Sequence, residues 1–329
     1  MVDGPVHVLM ATFEGASYLG EQIDSLLRQS DQDWLLLVRD DGSGDATRDI
    51  LADAAARDSR IHRLDDELGR LGSARSFMVL MQHAQASGAQ TFALCDQDDV
   101  WHPERLARQR QRLAELSAVA GGGVPLLTYS DLSWIGADGR ALADSHFRRA
   151  GLHAALDGAG HWLFAMNAVP GCAMGGNRAL LERALPAPPT VMHHDWWLLL
   201  VAAACGRVGV IDEPLVGYRQ HDANLIGAAA LPQRLAAALC APGDALVSGR
   251  RVYWQGVALA RALERCAGKS MHPGWHAMCQ HVIHELGGAS AARRAVAASR
   301  GPVRRIGLWR NLLMLAAAVS APPAESLLE

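Results

Sequence analysis

One lysine, Lys269, stands against thirty arginines in a chain of 329 residues. That imbalance suggests codon usage more than function, because a formal net charge of −3 leaves no basic field for nucleic acid. The six cysteines (Cys95, Cys172, Cys205, Cys240, Cys266 and Cys279) show no C-x-x-C spacing, which argues against a clustered metal or redox pair. Most sit in apolar runs and are expected to be reduced core thiols of a cytoplasmic protein. No charged segment followed by an apolar core opens the chain, and no apolar run reaches the eighteen or so residues that a membrane span needs. Folding is therefore expected to start almost at once, with Val6. What is abundant is hydrophobic residues, 50% of the chain, enough for one large domain or two ordinary ones.

The most informative stretch is T-F-A-L-C-D-Q-D-D-V-W, from Thr91 to Trp101. Thr91 to Cys95 reads as a short buried strand that ends abruptly at Asp96, Asp98 and Asp99. Three carboxylates this close repel one another, and a hard divalent cation with oxygen ligands, Mg²⁺ or Mn²⁺, is an economical way to keep them ionised. The plainer alternative is a solvated loop in which Asp99 helps to cap the next helix, with Pro103 in its first turn.

The rest of the first half alternates between two periods. Val6 to Ala11 reads as a strand, followed by Thr12-Phe13-Glu14-Gly15 and a helix with Leu19, Ile23, Leu26 and Leu27 on one face. Trp34 to Val38, a turn over Asp40 to Asp45 and a helix over Ala46 to Ala56 repeat the pattern. A third unit runs from Ile61 to Leu64, through Gly69-Arg70-Leu71-Gly72, into a helix carrying Phe77, Leu80 and Met81. Such alternation predicts an α/β fold with a mainly parallel sheet, helices on both faces and ligands beyond the carboxyl ends of the strands. After a helix over Pro103 to Leu116 come a longer strand over Leu126 to Ile135 and a helix over Trp196 to Ala204. Two short strands follow, Val208 to Ile211 and Pro214 to Tyr218. Helical segments are then expected over Ala245 to Cys266, Trp275 to Ala298 and Val303 to Val319.

Several loop residues suit a nucleotide. Thr12 and Glu14 offer a hydroxyl and an acceptor, Asp41 can accept from a base imino group, and Arg70 can meet a diphosphate. Each also has a structural use: Asp40 to Asp45 makes a good turn and helix cap, and Arg70 alone is an ordinary surface charge. Asp195 opens a helix after His193 and His194, where an acid is often only a cap. Trp196 and Trp197 follow it, as if to wall a pocket, and a carboxylate between such a wall and a metal-bound substrate suits a general base. His221 is a candidate nitrogen ligand behind a short strand. Arg219, two residues earlier, would point the same way and could face a phosphate.

In order along the chain, V-H-V-L-M-A-T-F-E-G, V-R-D-D-G-S-G-D, L-C-D-Q-D-D-V-W-H-P-E-R-L, H-H-D-W-W and E-P-L-V-G-Y-R-Q-H-D-A-N-L-I-G resemble the family 2 inverting glycosyltransferases of the GT-A fold over residues 5 to 227. The D-Q-D-D-V-W and Y-R-Q-H-x-x-N-x-x-G spellings are most similar to the bacterial rhamnosyltransferases. The resemblance implies nucleoside contacts at Thr12, Glu14 and Asp41, with Asp96 and Asp98 as the D-x-D pair and Asp96 at the ribose or a metal-bound water; Arg70 and Arg219 join the expected nucleotide-sugar contacts from the loop and strand readings above. It implies a metal, Mg²⁺ or Mn²⁺, on Asp98 and His221, a general base at Asp195, and an acceptor pocket at Gly171, Cys172, Trp196 and Trp197. It also implies a GT-A domain over 1–230, with a nucleotide-binding half 1–120 and an acceptor half 121–230, and a C-terminal helical region over 231–329.

The expected donor is dTDP-L-rhamnose. The expected acceptor is a hydroxyl of a surface polysaccharide, lipopolysaccharide or lipid-linked glycan at the inner face of the cytoplasmic membrane. A UDP-hexose donor and a non-catalytic glycan-binding module are the alternatives. Arginines beside apolar residues over 303–319 could form an interfacial helix touching the membrane, or a helix packed on the domain or on a second copy.

Overall fold

The computed structural model describes residues 4–150, 160–167, 169–221, 242–288, 290–303, 305 and 308–320. They divide into two units, the first of Met1–Ala150, Val169–Ala187 and His193–His221, the second of Gly151–Ala168, Pro188–Met192 and Asp222–Glu329. The expected boundary between 230 and 231 lies outside the described residues, as does the 222–227 end of the last motif.

The first unit is built on a sheet whose central strands are its most apolar segments. Val6–Thr12 (β1) pairs in parallel with Trp34–Asp40 (β2) on one side and with Thr91–Cys95 (β4) on the other, and Ile61–Arg63 (β3) flanks β2. All five residues of β4 are buried. The register sets Thr12 opposite Asp40 and Met10 opposite Cys95. The carboxyl ends of β1, β2 and β4 therefore open on one edge, and the loops that follow share it. The intervening helices, Leu19–Leu27 (α1), Thr47–Arg57 (α2) and Ser73–Ala86 (α3), fall where the 3.6-residue periodicity puts them.

Beyond β4 the sheet becomes mixed. Met174–Asn177 (β8) runs antiparallel to both β4 and Leu126–Gly136 (β6), and Arg207–Gln220 (β9) is parallel to β6. The two short strands expected over 208–218 are one strand. Its register slips between Ile211 and Pro214, so that Pro214, which has no N–H to give, sits at a bulge. Val100–Trp101 (β5) pairs antiparallel with Gly217 and Val216 of β9 and so carries the carboxylate loop to the end of that strand. Ala141–Ala143 (β7) pairs with β6, and His146–Ala150 (α5) follows it.

Arg105–Ala120 (α4) lies between β5 and β6, and Arg178–Ala184 (α6) follows β8 with Asn177 as its N-cap. His194–Cys205 (α7) is buried nearly all round, which explains its unbroken apolar sequence. It leads through Gly206 directly into β9. An added Cβ at Gly206 would stand 1.8 Å from the Pro125 carbonyl oxygen, and Arg207 N–H donates to that oxygen at 2.9 Å.

The second unit is helical: Pro242–Ala267 (α8), Pro273–His281 (α9), Ala291–Arg300 (α10) and Leu308–Ala318 (α11). The single segment expected over 275–298 is interrupted by a π-helical turn, Val282–Leu286, and by Gly287 and Gly288. Arg294, 3% exposed, donates to the carbonyls of Ala318 and Ser320 and so satisfies the end of α11. Met314, Ala317 and Ala318 form the buried face of α11; Arg304 and Ile306 lie outside the described residues. Among the described residues no helix is long and apolar enough to cross a membrane.

Because the Pro125 backbone cannot retreat from position 206 without disturbing the start of β6, Gly206→Ala is expected to lower stability by about 1–3 kcal/mol. Urea unfolding of the variant and the parent measures it.

Candidate active site

The first loop is held by its neighbours atom by atom. Thr12 Oγ1 donates to Asp40 Oδ1 at 3.0 Å, and the Thr12 carbonyl accepts from Asp41 N–H at 2.8 Å. Glu14 has the left-handed φ of 49° and accepts from Gly44 N–H at 2.7 Å, while its own N–H donates to Ser43 Oγ. Asp40 caps its turn by accepting from the N–H groups of Gly42 and Ser43. The second loop is in this sense a turn, but Asp41 faces elsewhere. Its carboxylate accepts from Leu71 and Gly72 N–H, both at 2.7 Å, from Ser76 Oγ at 3.0 Å and from Arg39 at 2.6 Å. Burial works to raise its pKa, and these four donors prevail and hold it below the usual carboxylate range. Arg70 lies in the same loop as Leu71, with its guanidinium 4.0 Å over the Phe13 ring.

Gln97 joins this assembly to the carboxylates. Its Oε1 accepts from Phe13 N–H at 2.9 Å, and its Nε2 donates to Phe13 O at 3.0 Å. Thr12, Glu14, Asp41, Arg70 and the Asp96–Asp99 loop therefore share one end of the sheet.

At that loop the three acids take different roles. Asp99 is fully buried and accepts from the backbone N–H of Arg219 at 3.0 Å, so it closes the contact between β5 and β9 and does not cap α4. Burial, then the charges of Asp96 and Asp98, push its pKa well up. Asp96 is half-buried, and burial together with Asp98 and Asp195 pushes it up to about 7. Asp98 keeps contact with solvent, and its Oδ2 is 2.8 Å from His221 Nε2.

Arg219 is 1% exposed. Its Nε donates to Asp98 O at 2.7 Å, Nη2 binds Glu21 at 2.5 Å, Nη1 meets the carbonyls of Gly136 and Ala137, and the group lies 4.8 Å from the Tyr18 ring. The expected phosphate contact is thus replaced by a brace: this cation is spent on the backbone beneath Asp98. His221 touches the other side of the arrangement, its ring 4.8 Å from that of Tyr18.

Asp195 lies in the first turn of α7, 8% exposed, with Oδ1 accepting from Trp196 N–H at 2.7 Å. It is close enough to Asp96 for its charge to raise that residue. Gly171 abuts it, an added Cβ there standing 3.2 Å from Asp195 Cβ and 3.0 Å from His194 Nε2. The tryptophans behave differently from the expected pocket wall: Trp196 and Trp197 are 2% and 0% exposed, and Trp197 Nε1 donates to Ala184 O at 2.9 Å. Their bulk builds core. Cys172 is fully buried too, within 4.8 Å of oxygens of Asp96 and Asp99.

That last trio suits a hard cation poorly. Burial keeps the Cys172 thiol protonated, and a thiol is a soft ligand. The Asp98–His221 pair fits better, being partly solvent-exposed and adjacent to a carboxylate cluster short of positive charge. Arg105, also buried, donates to the carbonyls of Leu94 and Cys172 and stacks over Trp101, so it braces the loop rather than filling it. Sequence reasoning missed Gln97, Arg39, Ser76, Tyr18 and Arg105. Gln97, Arg39 and Arg105 lay inside the quoted motifs, and Ser76 and Tyr18 carried no signal.

Residues 7–168 match the family model Glycosyl transferase family 2. That stretch is similar to the family 2 glycosyltransferases and spans just under half of the chain. TuaG of Bacillus subtilis, named for teichuronic acid biosynthesis, is 30% identical over 144 residues, which span 38% of this chain and 56% of that protein. The dTDP-rhamnosyl transferase RfbG of Shigella flexneri is 22% identical over 67% of this chain and 74% of its own length. Among solved structures, S. aureus TarS 1-349 with UDP-GlcNAc superposes with a TM-score of 0.57 at 14% identity, covering 96% of this chain and 82% of that one. The mannosyltransferase PcManGT from Pyrobaculum calidifontis, solved with GDP-Man and Mn²⁺, gives 0.52 at 18% identity, over 96% and 87%. These likenesses show the fold, which is GT-A with helices following the catalytic-type domain.

His194 stacks on Phe77 at 4.1 Å, and burial lowers its pKa to about 4. From pH 6.5 down to about 4 an unfolded chain protonates this residue and the folded one does not, so it costs stability as the pH falls, by up to ~1.4 kcal/mol per unit. Asp96 acts with the opposite sign between its ordinary range and about 7. His194→Gln should therefore lose stability less steeply than the parent between pH 6.5 and 4.5, as read by urea unfolding across that range.

Proposed function

We propose that this chain is a metal-dependent inverting glycosyltransferase that moves L-rhamnose from dTDP-L-rhamnose to a hydroxyl of a surface-polysaccharide or lipopolysaccharide precursor. One observation carries the reading: Asp195 stands beside the Asp96–Asp98–His221 group, at the sheet edge where the loops holding Thr12, Glu14, Asp41 and Arg70 converge. A base next to a diphosphate-binding end is the arrangement that direct displacement at an anomeric carbon requires. The donor choice is supported by the D-Q-D-D-V-W spelling and by the likeness to RfbG.

In this reading Asp41 accepts the imino hydrogen of the pyrimidine, Thr12 and Glu14 border the nucleoside, and Arg70 turns from Phe13 towards the diphosphate. Asp96 faces the ribose, and Asp98 and His221 would hold a divalent cation, whose chemistry there would be to supply positive charge for the diphosphate leaving group. Asp195 takes the proton of the acceptor hydroxyl as that oxygen attacks, and a single in-line step inverts the configuration. Gly171, which packs closely against Asp195, borders the acceptor.

Contact with an anionic membrane surface is supported by charge. Residues 1–221 carry a net −9 and residues 222–329 a net +6, which together make the −3 of the whole. Leu312, on α11, and Val319, in the turn that follows it, are 50% and 54% exposed. Leu312→Asp with Val319→Asp is expected to reduce flotation of the chain with anionic vesicles, and unchanged flotation would remove this contact.

Calorimetry with dTDP-rhamnose, UDP-glucose, UDP-N-acetylglucosamine and GDP-mannose, in Mn²⁺, Mg²⁺ or EDTA, tests the donor; a metal-dependent preference for dTDP-rhamnose is expected. Asp195→Ala should lower transfer by about 10²- to 10⁴-fold with donor binding nearly intact. Asp98→Ala should bind the donor equally with Mn²⁺ and with EDTA.

A further inference from the structure

Arg39 projects from the end of β2, is 1% exposed and uses its whole guanidinium. Nη1 donates to Asp41 Oδ1 at 2.6 Å and to Ser76 Oγ at 2.8 Å. Nε and Nη2 grip Asp66 at 2.7 and 3.0 Å, and Nη2 also donates to Gly69 O at 2.7 Å. One side chain thereby ties its own loop, the loop after β3 and the first turn of α3. A buried ion pair is a weak source of stability, because desolvation offsets most of its attraction. Geometry is its clearer product.

That geometry falls on Asp41. Three donors, from Arg39, Leu71 and Ser76, crowd Oδ1, and a single donor, Gly72 N–H, meets Oδ2. A carboxylate oxygen has room for about two acceptor contacts. Oδ1 is therefore full, and Oδ2 has one position left. We infer that Arg39 is a positioning residue for base choice: by fixing the plane of Asp41, it keeps Oδ1 turned to its own donors and leaves one acceptor, on Oδ2, which suits the single imino N–H of a pyrimidine. Guanine brings two parallel donors, its N1–H and its N2 amino group. One of them would be left without a partner, and an unpaired donor in a closed site loses affinity.

This inference rests on the donor-site reading above. The test is calorimetric binding of UDP, dTDP and GDP to the full chain and to Arg39→Gln, Arg39→Lys and Asp66→Asn, with thermal unfolding of each. The parent should bind UDP and dTDP at least about tenfold tighter than GDP. Asp66→Asn, which loosens the far end of the guanidinium without touching Asp41, should shrink that ratio at near-parental melting temperature. Arg39→Gln should bring it towards one, and Arg39→Lys should restore part of it. An unchanged ratio in folded Asp66→Asn and Arg39→Gln overturns the inference and leaves Arg39 a brace; if Arg39→Gln does not fold, Asp66→Asn alone decides. A parent chain that binds none of the three overturns the donor-site reading itself.

Discussion

Keeping three carboxylates together at the end of a buried strand is the demand that shapes the first unit. Like charges at this spacing raise one another's pKa, and burial adds to the effect, so the loop after β4 would shed its protons reluctantly or fray. The fold meets this by dividing the acids. Asp99 is taken inward and tied to the backbone of β9, Asp98 is left at the surface beside His221, and Asp96 lies between them. Two buried arginines stabilise the surrounding backbone through carbonyls without cancelling the acids. The result is a loop tied down from beneath, with the Asp98 carboxylate left at the surface beside His221.

Much of this was legible in the sequence. The switch between two-residue and 3.6-residue periods placed β1 to β4 and their helices, because central parallel strands must be apolar throughout. The carboxylates were visible for the same reason: an apolar run that ends in Asp-x-Asp-Asp has few structural excuses. What stayed hidden depended on distant partners. Nothing local says that Arg219 turns inward to Glu21, nearly two hundred residues earlier, or that Trp196 and Trp197 pack into the core instead of lining a pocket. The bulge that makes one strand of β9 was missed because Pro214 reads locally as a break. Arg39 was quoted within a motif, yet its meaning required the loop after β3 to be seen folded against it.

That loop also shows how different spellings can serve one end. Gly69-Arg70-Leu71-Gly72 turns two successive N–H groups towards Asp41, and Ser76 adds a hydroxyl. Backbone donors impose little on the side chains around them. Loops of this kind can drift in sequence while the geometry persists, which accords with a fold shared at 14 to 18% identity.

The paired hydrogen bonds between Gln97 and the Phe13 backbone have a thermodynamic corollary. They make the loop after β1 and the loop that carries Asp98 one mechanical piece, packed so closely that a Cβ at Gly15 would overlap the Gln97 amide. Where two ligands on such a piece influence one another, the influence is reciprocal: whatever factor a cation added to nucleotide affinity, the nucleotide would add to cation affinity. On the proposed reading, removing the cation and removing the nucleotide would therefore change each other's binding by one common factor.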